Sequence, residues 1–61
     1  MKDLILSFGL KETTTAGIYR KKGLTVRQFF QVVTIIKDGF KYPISCEGLD
    51  KVSKILPKFI S

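Results

Sequence analysis

The chain has 61 residues, 44% of them hydrophobic, with eleven Lys or Arg against five Asp or Glu, a formal charge of +6. That length allows one domain over residues 1–61 with one small core, and the apolar content argues against disorder. One cysteine and no histidine exclude a disulfide scaffold and a Cys/His zinc site, and with no phosphate-binding glycine loop or carboxylate pair they argue against an enzyme or a bound cofactor.

Charge is distributed unevenly. No acid lies between Glu12 and Asp38, whereas Arg20, Lys21, Lys22, Arg27 and Lys37 all fall there. A one-signed surface of this kind attracts polyanions, and nucleic acid is the first expectation. No apolar run is long enough for a membrane span, and no signal peptide is evident, so a reducing cytoplasm is the expected compartment.

Residues 2–8 form a short apolar segment closed by Gly9, read as a two-turn helix with a strand as the alternative. A second helix is expected from about Thr14 to Lys22, with Thr13 as N-cap, three basic residues in its last turn and Gly23 as its stop. Thr25 and Gln28 match a capping box, and Val26, Phe29, Phe30, Val33 and Ile36 continue at helical spacing. Against that, the five residues from Val32 to Ile36 are all β-branched, which favours a strand over Val32–Lys37. The strand is preferred because Asp38-Gly39 is a favoured hairpin turn and Phe40 to Ile44 alternates like a partner strand. A last helix is expected after a Ser45 cap, with Leu49, Val52, Ile55 and Leu56 as its apolar stripe and Pro57 as its end. Tyr19, Phe29, Phe30, Phe40 and Tyr42 are assigned to the core, since so small a chain needs its aromatic residues inside.

The run from Ile35 to Leu56, with its Asp38-Gly39 turn, Lys41-Tyr42, Ile44-Ser45, Glu47 and Leu49, resembles the wing and following helix of excisionase and MerR-like winged-helix proteins. The resemblance covers about a third of the chain. It implies an α+β fold, a small winged helix-turn-helix of two or three helices, a two-stranded hairpin wing and a C-terminal helix. It also implies a DNA-binding protein of excisionase or transcription-regulator type from a phage or other mobile element. Its partners would be double-stranded DNA and a recombinase or other protein.

Two registers fit the upstream part. In one, Glu12 to Lys22 is the recognition helix. In the other, the helix from Val26 presents Arg27, Gln28 and Gln31 to base edges while Arg20, Lys21 and Lys22 approach phosphates. Lys37 and Lys41 flank the wing tip as further phosphate contacts, or else protect a sheet edge. The DNA-binding set is the same in both: Arg20, Lys21, Lys22, Arg27, Gln28, Gln31, Lys37 and Lys41. The alternative function is a small interaction module or inhibitor whose basic face binds an acidic protein. A homodimer would relieve the limited core.

Overall fold

A computed structural model describes residues 1–60. The chain forms a helix α1 (Lys2–Ser7), strands β1 (Lys11–Glu12), β2 (Ile18–Lys21), β3 (Leu24–Phe29), β4 (Val32–Lys37) and β5 (Ile44–Glu47), and a helix α2 (Leu49–Ile55) that runs into a 3-10 turn over Leu56–Phe59. The strands make one antiparallel sheet in chain order, β1-β2-β3-β4-β5. This is a sheet-rich domain, and the expectation of a winged helix-turn-helix is overturned.

Strand alternation explains why. Tyr19, Leu24, Val26, Val33, Ile35 and Cys46 are buried at every second position of four neighbouring strands. The cross-strand register sets Tyr19 opposite Val26, Val26 opposite Ile35, and Val33 opposite Cys46, so all six share one face. Ile5 from α1, Leu10, Val52 from α2 and Leu56 complete the core against that face. Both helices therefore lie on the same side of the sheet, and the other side is open.

No helix covers residues 14–22. Residues 13–17 form a turn in which the Thr13 hydroxyl accepts the Thr15 amide at 3.2 Å and the Thr13 amide donates to the Ile18 carbonyl at 2.8 Å. Gly17 is needed there because a Cβ would stand 2.9 Å from the Gln28 carbonyl. The supposed capping box, Thr25 and Gln28, lies within β3. Three-residue spacing satisfies the box pattern whether or not a helix forms, and tertiary pairing decided the outcome.

The hairpin turn is displaced as well. A type I′ turn needs positive φ at both central residues. At the expected Asp38-Gly39 only Gly39 has it (93°). β4 and β5 pair only as far as Ile35 and Ile44, and a longer connection over residues 38–43 joins the strands in place of a tight wing. The I′ conformation occurs instead at Lys22-Gly23, between β2 and β3, with φ of 31° and 76°. Ser45 caps no helix; it sits in β5, and Gly48 stands at the N-cap of α2. Val52 and Leu56 are buried as the apolar stripe requires, but Leu49 is 51% exposed.

The strand over Val32–Lys37 and the first helix agree with the sequence reading. The aromatic assignment does not. Tyr19 is buried, whereas Phe29, Phe30, Phe40 and Tyr42 are exposed, because Phe29 falls on the open face and the others on turns or the 38–43 connection. Among the described residues no helix is long and apolar enough to cross a membrane.

Candidate nucleic-acid interface

The open face is built from three cross-strand rows. Lys11, Arg20, Thr25 and Ile36 oppose one another across β1 to β4. Ile18, Arg27, Thr34 and Ser45 form the next row across β2 to β5. Phe29, Val32 and Glu47 form the third. The Thr34 and Ser45 hydroxyls lie 3.4 Å apart, as same-face neighbours should.

Both arginines of the chain are on this face, exposed, on adjacent central strands. Lys11 extends the positive charge toward one edge. Glu47 is the face's single carboxylate, on the opposite edge strand. Among the described residues the one ion pair joins Lys2 to Glu12 at 3.2 Å, so neither arginine is neutralised by an acid. The residues facing the arginines across the strands, Thr25 opposite Arg20 and Thr34 opposite Arg27, are small hydroxyl side chains that leave the guanidinium groups room to reach outward. The backbones of β2 and β3, which carry the arginines, lie one interstrand spacing of about 5 Å apart.

The residues expected to form one DNA-binding set are divided by the fold. Arg20 and Arg27 share the open face. Lys21 and Lys37 alternate to the other side, where their ammonium groups donate to the Phe8 carbonyl at 3.2 Å and the Phe59 carbonyl at 3.4 Å. Gln28 also lies on the core side, and its amide donates to the Phe30 carbonyl at 2.8 Å, bracing the β3–β4 turn. Gln31 is exposed on that turn, its carbonyl accepting the Gly48 amide at 2.9 Å. Lys22 is exposed on the β2–β3 turn and Lys41 on the 38–43 connection. No helix presents any of them.

Lys11, Thr25, Thr34, Ser45 and Phe29 belong to the open face and were absent from the expected set. A signal for them exists in the period-two alternation of Thr25-x-Arg27-x-Phe29 and Val32-x-Thr34-x-Ile36, interleaved with the buried Val26, Val33 and Ile35. Helical spacing through Val26, Phe29 and Phe30 masked it.

Phe29 and Phe30 form an edge-to-face pair with ring centroids 4.5 Å apart at the end of β3. Phe30 has φ of 55°, a left-handed conformation uncommon for a bulky side chain. Cys46 is buried, its thiol pushed up from the ordinary range by desolvation, with the charge of Lys51 acting weakly in the opposite sense. A thiol so placed is a packing group. The chain matches no family model, no curated protein and no solved structure.

Proposed function

We propose that this protein binds double-stranded DNA by laying the open face of its sheet in the major groove. The observation that carries the reading is the placement of both arginines, without an ion-pair partner among the described residues, on adjacent strands of a face that no described helix covers. Sheets enter the major groove as recognition helices do, and arginine is the side chain best suited to the paired acceptors of guanine. Thr25, Thr34 and Ser45 supply hydroxyls for phosphates or base edges, and Ile36 and Val32 supply apolar contact for thymine methyl groups. Lys11 at the flank adds a phosphate contact that fixes the docking position.

A second reading is favoured by the same exposed Phe29, Val32 and Ile36, which would suit an acidic protein partner seated on this face. One titration separates the two. Fluorescence anisotropy of a labelled random-sequence duplex at two salt concentrations should show affinity that falls steeply with salt. Arg20→Ala and Arg27→Ala should each lower the salt dependence by about one unit of slope. Absence of binding at low salt, or binding indifferent to both substitutions, overturns the DNA reading and leaves the protein partner.

A further inference from the structure

Behind the sheet, at the end marked by the β2–β3 turn, lies a cleft of 390 Å³ lined by Lys21, Lys22, Leu24, Lys37, Phe59 and Ile60. Its construction follows from the register. Lys21, Leu24 and Lys37 oppose one another across β2, β3 and β4, on the face that carries the core. Two lysines thus flank a buried leucine in one row, and Lys22 joins them from the adjoining turn.

Burying lysine stems over a core is ordinary, but here three lysines line one concavity. Each ammonium carries three donors. Lys21 and Lys37 spend one apiece on the Phe8 and Phe59 carbonyls, which orients the groups and leaves the rest free. Among the described residues no carboxylate lines the cleft. Asp38 is nearby, its Oδ2 3.2 Å from where a Gly23 Cβ would be, yet among the described residues it forms no ion pair. Among the described residues, then, no carboxylate forms an ion pair with Lys21, Lys22 or Lys37. The rest of the wall is apolar, and Phe59 is held by an edge-to-face contact with Phe40 at 5.8 Å between centroids.

We infer that this cleft is a binding site for an organic phosphate, a phosphomonoester whose anionic head meets Lys21, Lys22 and Lys37 and whose compact apolar group rests on Leu24, Phe59 and Ile60. The volume is within the range of small-ligand pockets, and lysine is a common point-charge partner for phosphate. The site lies on the opposite side of the sheet from Arg20 and Arg27 and does not depend on the DNA reading. The same headgroup chemistry could come from a soluble ester or from a phosphatidate surface.

The test is an amide chemical-shift titration of the intact chain with phenyl phosphate. Inorganic phosphate and phenol serve as the two half-ligands, and sedimentation with phosphatidic acid or phosphatidylcholine vesicles forms a parallel arm. Saturable shifts are expected at Lys22, Gly23, Leu24 and Ile60, with each half-ligand weaker than the whole. Lys22→Gln combined with Lys37→Gln should weaken phenyl phosphate about tenfold, while Arg20→Gln with Arg27→Gln leaves it unchanged. Glutamine at position 37 keeps an N–H for the Phe59 carbonyl. If the double variant loses its fold, Lys22→Gln alone, on an exposed turn, should still weaken binding measurably. Preference for phosphatidic acid vesicles over phenyl phosphate would assign the lipid source, and the reverse the soluble ester. Shifts scattered over all lysines, equal response to inorganic phosphate, or indifference to the lysine substitutions overturns the site.

Discussion

Arg20 and Arg27 are diagonal neighbours on one solvent face: the β2–β3 register sets Arg20 opposite Thr25 and Arg27 opposite Ile18. Diagonal pairs of this kind have side chains about 7–8 Å apart, which is on the order of two base-pair steps. Two planar guanidinium forks at that separation can address base edges two steps apart, which two lysines could not do with the same geometry. Arg27→Lys should therefore keep most of the non-specific affinity and its salt dependence, while discrimination between a selected site and its guanine-substituted variant falls by about 1–3 kcal/mol. Competition binding with the two duplexes measures this. Equal loss of both quantities would assign Arg27 to phosphate.

The Lys22-Gly23 turn carries a prediction about stability. Lysine at φ 31° occupies a position that asparagine fills more readily in type I′ turns. Lys22→Asn should raise unfolding stability by about 0.5–1 kcal/mol, read as an upward shift in thermal midpoint. Gly23→Ala should do the reverse, by about 1–2 kcal/mol. Its φ is 76°, and the added methyl would crowd the Asp38 carboxylate.

That turn also shows how the sequence misleads. Arg20, Lys21, Lys22 and Gly23 read as a basic last helical turn with its stop, yet the same residues end one strand and form a hairpin turn. Local chemistry is compatible with both, and only the non-local pairing of Tyr19 with Val26 and Val26 with Ile35 selects the strand. Where β-branched residues run together, at Val32 to Ile36, the local preference and the pairing agree and the strand was legible. The candidate site was legible in its residue types, Arg20 and Arg27 above all. It was not legible as a surface, because a helical and a strand register send Lys21, Gln28 and Lys37 to different sides.

Phe30 contributes little to the fold for its size. It is 78% exposed and in a left-handed conformation, so its replacement removes strain along with contacts. Phe30→Gly should leave unfolding stability within about 0.5 kcal/mol of the parent. Tyr19→Ala, at a position 1% exposed, should cost about 3–5 kcal/mol. Denaturant titration of the pair distinguishes an aromatic retained at the surface from one that holds the core.

The helix after β5 gives a paired test of its register. Leu56 is fully buried and Leu49 half exposed, although both belong to the apolar stripe expected from spacing. Leu56→Ala should cost about 2–5 kcal/mol through lost burial and the cavity it leaves. Leu49→Ala should change stability by no more than about 0.5 kcal/mol. Similar losses at both would place α2 in a different rotation against the sheet.

The Lys2–Glu12 pair, at 3.2 Å, ties α1 to the short edge strand β1 and predicts a specific pH dependence. The Lys2 hydrogen bond, followed by the Gly17 amide, holds the Glu12 carboxyl below its ordinary range; the Glu12 hydrogen bond and charge raise Lys2. A depressed carboxyl adds stability above its unfolded pKa and loses it as pH falls through the lower folded value. A raised ammonium adds stability below its unfolded pKa and loses it as pH rises through the higher folded value. The contribution is thus present across the neutral range and disappears at both the acid and the alkaline ends. Both groups are solvent-exposed, so water and salt screen the effect and it should be small. Glu12→Gln should flatten the acid limb of a stability-versus-pH profile at low salt, and added salt should shrink the difference between variant and parent. An acid limb unchanged by Glu12→Gln would show that other carboxylates set it.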